Sequence, residues 1–569
     1  MIGIIGFVHS SLGKTREFLS KDVDLLGAAF AKAGVVAQSV LDLIVAVPWT
    51  SANVLSIIAA AIAVVISTWA MWPRRYDLDR IPGPWKHGMP VLGNVLEILT
   101  PSFHRVMLKW ANKYGGVYRM KVLWRDILII SDPREVARIV GRGEGGQDKS
   151  ADLYLPINQM VEPNAHPNLL TSSSDNKWKT IRKAVAVSFS HGNIKKKYPM
   201  VLGKINELLD RLRALGPEES VDVDQAALRV TLDVVGLAAF GHDFEAVKQD
   251  HPEPSHMLRV LPRCFTEVEL RMANPLRTLF PSFLFKRGTK GKKSFETFHK
   301  DMTSLLKKII ARGDPKDDDQ SVAAQLMRIR GKEGIVDERL LSEIGILFVE
   351  GFETTGHTIG WTLFSIVTNE GIQEKVANEL DNHGLLSKPG YKPREIEYED
   401  LRKLRYLNSC IKEAMRMLPV VSVANGRVTK RVSKIGPYTV PPDTMIVMPL
   451  YCLHNSDKNW PKASKFLPSR WDDVAAETFV YDSRGSGESV EKGVTFMPFS
   501  DGPRNCVGQS LAKMEVIALL AKMLGTFRFE MDPAYGGAEG VRQRESTHLT
   551  LQTQGTKGIR MFLTPRDTL

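Results

Sequence analysis

Residues Phe496–Val516 read FMPFSDGPRNCVGQSLAKMEV, and the fold turns on how this stretch is read. Phe499, Gly502, Arg504, Cys506 and Gly508 fall within ten positions, and an amphipathic helical pattern follows. Glycine allows close backbone approach and positive φ. A helix beginning just past Cys506 would point its free amides and its positive end at the sulfur. Arg504 adds a cation two residues away. Each of these lowers a thiol pKa, so the segment reads as a nest for a thiolate. Phe499 would shield that site from water. A lone cysteine is ordinarily a small buried hydrophobe, and five matching positions argue against that reading here.

The rest of the composition is ordinary. The chain has 569 residues, 43% hydrophobic and 25% charged, which disfavours wholesale disorder and a polytopic membrane protein. Its 44 glycines and 31 prolines show no period, so a fibrous or solenoid architecture is disfavoured. Four cysteines, Cys264, Cys410, Cys452 and Cys506, are too few and too scattered for a disulfide framework or a metal clip. A net charge of +12 suits an anionic membrane surface, an acidic protein or nucleic acid. Val54–Trp72 reads VLSIIAAAIAVVISTWAMW and carries no charge. Helical rise makes it about 28 Å long, close to a bilayer core. Trp69 and Trp72 stand at one end, Arg74, Arg75 and Arg80 follow, and residues 34–53 hold no Lys or Arg. The positive-inside rule then places the long C-terminal part in the cytosol. Residues 1–53 are an extension open to two readings, a second membrane-embedded helix near 34–47 or an organelle transit peptide. Residues 73–99, with the Ile81–Trp85 segment IPGPW, read as a hinge orienting the body against the membrane.

From residue 100 to the end no linker is visible. Helical patterns cover 204–215, 226–240, 338–367, 406–418 and 509–524; short β-like runs cover 117–123, 126–130, 437–440 and 445–449. The polar stretches 314–320 and 481–493 read as surface loops. The expected fold class is mainly α with a small β fraction. Glu413 and Arg416 are three apart on one helix face and can pair. Trp178 and Arg182, four apart, offer an indole donor and a guanidinium fork on one face, and the fork matches a carboxylate. Leu340–Phe364, LLSEIGILFVEGFETTGHTIGWTLF, is a long apolar helix with a polar centre. Glu350, Glu353 and Thr354 share one face. Gly351 costs the helix about 1 kcal/mol against alanine and so needs a reason. Thr354 can bond back to the preceding turn and open the helix.

Together these residues resemble the cytochrome P450 family. Phe499 to Gly508 fit Phe-x-x-Gly-x-Arg-x-Cys-x-Gly in full, Glu413 and Arg416 lie about ninety residues earlier, and Gly351 to Thr355 match Gly-x-acid-Thr-Thr. The resemblance runs from about Ile81 to about Leu563. It implies the P450 fold, a single large haem domain at 100–569 behind the 54–72 anchor. It implies haem b, an iron protoporphyrin IX, with Cys506 as thiolate axial ligand beside Phe499 and Gly508. Trp178, Arg182, Arg427 and Arg504 would hold the haem propionates; for Arg427 a plain surface arginine is the other reading. Glu413 and Arg416 would form a buried network with Arg470, which stands in Pro-Ser-Arg where relatives often have Pro-Glu-Arg. Glu353 and Thr354 would deliver protons on the distal side. Glu350 resembles the glutamate of fatty-acid ω-hydroxylases that can esterify a haem methyl; a polar neighbour of the site is the other reading.

The activity implied is insertion of one oxygen atom from O₂ into a lipophilic substrate such as a fatty acid, terpenoid or sterol. Electrons would come from an NADPH–cytochrome P450 reductase, with cytochrome b5 a further candidate donor, because no nucleotide-binding segment is visible. The other readings are a haem-thiolate isomerase or dehydratase, which would disturb the acid–threonine pair, and a haem-binding sensor, which would not need it. The expected place is the endoplasmic reticulum membrane, single-pass with a cytosolic catalytic domain, or a plastid membrane. Asn274–Lys293, apolar at Leu276, Leu279, Phe280, Phe283, Leu284 and Phe285 and then basic, suits a lipid interface. The charge is thus assigned to membrane and reductase rather than nucleic acid. Leu347, Phe348, residues 420–424 and the loop 153–170 are the candidate pocket.

Overall fold

The computed structural model describes residues 76–569 except 90–91, 124, 142–144, 150–152, 249–255, 274–276, 278–280, 286–287, 424, 473–492 and 556. The apolar 54–72 stretch, the N-terminal extension and most of the polar 481–493 loop lie outside the described residues. Among the described residues no helix is long and apolar enough to cross a membrane. Tyr76–Leu569 form one compact unit. The segment 76–99, read from sequence as a hinge, packs into that unit. Ile81 is fully buried, and the Asp77 amide donates to the Thr439 carbonyl at 2.8 Å. A Cβ at Gly83 would lie 1.9 Å from the Arg119 carbonyl oxygen, so only glycine fits that contact.

The helices that build the site are α1 Leu155–Val161, α2 Asn176–Ser188, α3 His191–Leu215, α4 Val223–Val235, α5 His256–Ala273, α6 Gly288–Ala311, α7 Asp337–Thr368, α8 Arg405–Met417 and α9 Gln509–Thr526. α7 is the central one. Asp337 and Glu338 favour its N-terminus, and nearly every side is buried from Arg339 to Ile366. It packs on α4, α6, α8 and α9. A helix apolar all round belongs in a core. The hydroxyls of Thr354, Thr358, Thr362, Ser365 and Thr368 each donate to the carbonyl four residues back. That satisfies them without breaking the helix, which stays continuous where an opening at Thr354 was expected.

The strands that matter are β1 Val117–Val122, β2 Arg125–Ile130, β3 Gly426–Val428, β4 Met445–Val447, β5 Glu545–Thr547 and β6 Leu551–Thr553. The main sheet has the order β1-β2-β4-β3. β1 and β2 form an antiparallel hairpin, β2 runs parallel to β4 (Leu128 opposite Ile446), and β3 returns antiparallel (Arg427 opposite Ile446). β5 and β6 form a separate hairpin.

Several expectations are corrected. The helix expected at 204 starts at His191, with Pro199 inside it. Proline removes one helical donor, but buried Ile194, Tyr198, Val201 and Ile205 hold the turn in place. The helix expected to reach Phe240 ends as α at Val235 and continues as a π turn, Gly236–Phe240. The stretch 153–170, read as a loop, contains α1. In the 274–293 stretch, Lys290, Lys292 and Lys293 lie on α6 rather than in a loop. Phe283 and Leu284 are 74% and 59% exposed on a short turn. Leu276, Leu279, Phe280, Lys286 and Arg287 lie outside the described residues.

Candidate active site

One cavity collects Cys506 and most of the other predicted site residues. The loop carrying Cys506 is shaped by close backbone contact. Gly502 has φ +68, and a Cβ there would lie 2.0 Å from the Val140 carbonyl oxygen. The Cys506 amide donates to the Phe499 carbonyl at 2.8 Å. α9 then starts at Gln509, with Gly508 at its N-cap. The other three cysteines are buried away from the cavity.

The thiol nest differs from expectation in one respect. Burial first, then the nearby Glu350 carboxylate, push the Cys506 thiol up to about 11, although the Gly508 amide, Arg182 and Lys513 act the other way. The sulfur is open to the cavity interior yet enclosed by protein at longer range, and that enclosure governs its titration. Arg504 is not the cation beside it. Its guanidinium stacks on the Trp178 ring, 4.3 Å from the ring centre. It donates to the Ser174 hydroxyl at 3.1 Å and to the Leu169 and Leu170 carbonyls at 3.2 and 3.1 Å.

The four residues expected to hold carboxylates end up in different states. Arg182 donates to Asn505 Oδ1 at 2.6 Å. Trp178 spends its indole N–H on the Leu169 carbonyl at 2.9 Å. Arg427 is 1% exposed, which overturns the surface reading. Its Nη1 donates to Asn425 and to the Gly426 carbonyl, while its buried Nε and Nη2 have no partner among the described residues. Arg427 itself is not among the residues lining the cavity, whereas Lys149, which the sequence reading missed, is a buried cation that lines it. Burial, then Arg427 and Arg504, hold its ammonium well below the usual lysine range. Orphaned donors in a crowd of cations call for an anionic partner. A haem, with two carboxylates and an iron that takes thiolate, fits these residues.

To the same cavity, α7 supplies Glu350, Gly351, Glu353 and Thr354. Gly351 now has its reason: a Cβ there would lie 2.4 Å from Val235 Cγ2 on α4. Thr354 Oγ1 donates to the Glu350 carbonyl at 2.8 Å, which leaves the oxygen free to accept. Glu353 Oε1 accepts from the Thr550 hydroxyl at 3.1 Å. Burial and, more weakly, Glu343 push Glu350 up to about 7 against the pull of Lys149, Arg182 and Arg504. Of the pocket candidates, Leu347, Val420, Val421 and residues of α1 line the cavity. Phe348 does not; it is fully buried among the rings of Phe244, Phe298 and Phe352. His357 and Thr550 were missed as neighbours of Glu353. His357 stands four residues after it, a spacing readable from sequence, whereas Thr550 is distant in the chain.

Outside the cavity lining, Glu413 is the hub of a buried network. Its oxygens accept from Arg416 (2.9 and 3.0 Å), Arg470 (3.1 Å), the Trp471 indole (3.1 Å) and the Leu467 amide (3.0 Å). Arg416 also donates to the His454 and Ala463 carbonyls, both at 2.8 Å. The serine at 469 does not prevent Arg470 from reaching Glu413.

The family model described as "Cytochrome P450" matches residues 82–552. The chain is 27% identical to "Carotene epsilon-monooxygenase, chloroplastic" of Arabidopsis thaliana, over 78% of this chain and 81% of that one. It is 26% identical to "Probable cytochrome P450 6a20" of Drosophila melanogaster, over 81% and 89%. It is 24% identical to "Cytochrome P450 3A28" of Bos taurus, over 79% and 85%.

Proposed function

We propose a monooxygenase of lipophilic substrates, from the premise that this chain belongs to the cytochrome P450 family. It is therefore an oxidoreductase that carries haem b on a cysteine thiolate. Haem b supplies the iron at which O₂ is reduced and split, one atom going to the substrate and the other leaving as water. The observation that carries the finer reading is that Cys506 and the Glu353–Thr354 pair line one largely apolar cavity. Cys506 is the thiolate, steadied by the Gly508 amide. Arg182, Arg427 and Arg504, with Lys149, bind the propionates. Glu353 relays a proton, and Thr354, its own hydrogen committed to Glu350, accepts and orients it. Leu347, Val420, Val421 and α1 exclude water and select an apolar substrate.

The experiment is product profiling against fatty acids, terpenoids and sterols with NADPH and an added P450 reductase. Oxidation of at least one class is expected, and Thr354→Ala should divert about tenfold or more of the electron flow from product to hydrogen peroxide. Oxidised product from none of the three classes would overturn the substrate reading. The carotene-oxidising relative favours including carotenoids among the terpenoids. Oxidation of a terpenoid but no fatty acid would remove fatty acids from the proposed substrates.

Glu350 is read here as a polar neighbour of the site rather than an ester donor; it lines the cavity together with Lys149. Haem should extract freely into acidic organic solvent after proteolysis; haem retained on the Glu350 peptide would establish the ester instead.

Membrane association is part of the proposal. The uncharged 54–72 stretch and the exposed Phe283–Leu284 turn support it. In the full chain in vesicles, tryptophan fluorescence from Phe283→Trp should be quenched by brominated lipid, above the quenching of the unsubstituted protein. No added quenching would place that turn in water.

A further inference from the structure

A buried polar chain runs from the wall of the cavity, where Glu353 and Thr550 line it, to His357 and Asp224, which do not. His357 sits one turn after Glu353 on α7 and is 2% exposed. Its Nδ1 lies 2.9 Å from each carboxylate oxygen of Asp224 on α4. Its Nε2 lies 3.7 Å from Glu353 Oε1. That same oxygen accepts the Thr550 hydroxyl from the β5–β6 turn. The helix is also shaped to admit Asp224: a Cβ at Gly360 would lie 2.5 Å from Asp224 Oδ1.

Both ring nitrogens of His357 thus face carboxylates. A neutral imidazole carries one hydrogen and would present a bare lone pair to one of them. The charged ring satisfies both. Burial opposes that charge, but Asp224 and then Glu353 outweigh it and push His357 up to about 10. A buried charge needs such compensation to persist.

We propose that His357, clamped by Asp224, is a positioning residue for the Glu353 carboxylate: with Thr550 it pins Oε1 and leaves Oε2 as the oxygen that exchanges protons. This rests on the reading of Glu353 as the proton carrier. Glu353 gives up a proton during turnover and regains one from water, while His357 keeps its own throughout.

The test needs no substrate. Purified holoprotein is supplied with NADPH and an added P450 reductase, and NADPH, O₂ and hydrogen peroxide are followed together. Two outcomes balance: O₂ with one NADPH and one proton gives peroxide, and O₂ with two NADPH and two protons gives two waters. Water requires protons delivered in time, so a misplaced Glu353 raises the share of peroxide. His357→Leu should raise the peroxide-to-water ratio about tenfold. His357→Lys, which restores a cation, should recover much of the loss, and His357→Leu should add nothing in a Glu353→Gln background. The pH dependence should follow the cation. The low peroxide share should hold through neutral pH and be lost as pH rises toward about 10, and Asp224→Asn should bring that loss to lower pH. The charged groups facing this imidazole are Asp224 and Glu353, with His548 from the β5–β6 turn and Asp222 acting through Asp224. Carbon-13 imidazole NMR gives a readout independent of turnover, with the His357 resonance staying at its charged position well above neutral pH.

If His357→Leu keeps the unsubstituted ratio while Glu353→Gln raises it, the inference is overturned and the proton-carrier reading stands. If Glu353→Gln also changes nothing, the proton-carrier reading falls with it. Should His357→Leu lose the thiolate-type spectrum of its reduced CO complex, His357→Gln takes its place and is judged by the same ratio.

Discussion

Cys506→Ser abolishes NADPH-driven oxidation, by at least about a thousandfold or about 4 kcal/mol of barrier, and removes the red-shifted Soret band of the reduced CO complex. The reason is that no other group can take over the sulfur's task. Of the four cysteines only Cys506 lines the cavity. Burial pushes the Cys264 thiol up to about 12, and Cys410 and Cys452 are raised further in the same way. Serine keeps the shape of the loop, including the amide bond to Phe499, so haem should still be found with the protein. What goes is the soft, electron-rich ligand. A thiolate-type CO spectrum in the Cys506→Ser protein would show that another residue is the ligand.

Glu413→Ala costs about 3–5 kcal/mol and gives little folded holoprotein, because it leaves the Arg416 guanidinium buried and unpaired. Glu413 and Arg416 are both fully buried, and Glu413 accepts from three side chains and one amide. Removing a hub abandons all of these donors at once. Arg470→Ala should cost markedly less, since that side chain keeps 14% of its surface exposed and water can replace part of what it does. The measurement is the urea midpoint of each variant, read with the yield of thiolate-type CO complex. Equal midpoints for Glu413→Ala and Arg470→Ala would remove the hub from the account.

Interactions set by local spacing are legible in the amino-acid sequence. The Glu413–Arg416 pair needs only a helix, since residues three apart share a face. Gly502 and Gly508 around Cys506 announce backbone that must come close to something. The polar centre of α7 stands out because it interrupts an otherwise apolar helix. Where local spacing is silent, expectation and structure part. Phe348 and Leu347 are neighbours on a helix buried on all sides, so nothing in the apolar pattern tells which of them faces the cavity. The loop around Cys506 taken alone favours a thiol that titrates low. Burial by the whole fold and a carboxylate from α7 turn it upward, and neither is a property of the loop. The packing of 76–99 into the body was not legible for a similar cause: prolines stop a helix, but they do not say whether the chain then packs.

By itself the sequence determined the family, singled out Cys506 as the candidate ligand and gave the likeness of α7 to an oxygen-activating helix, because each is written in residues a few positions apart. The tertiary structure alone decided who meets whom across the chain. It set Asp224 against His357, Thr550 against Glu353, and Lys149 among the arginines. Such partners lie tens to hundreds of residues apart, and only the packing of α4, α7 and the β5–β6 turn into one wall brings Asp224 to His357 and Thr550 to Glu353 within hydrogen-bond reach.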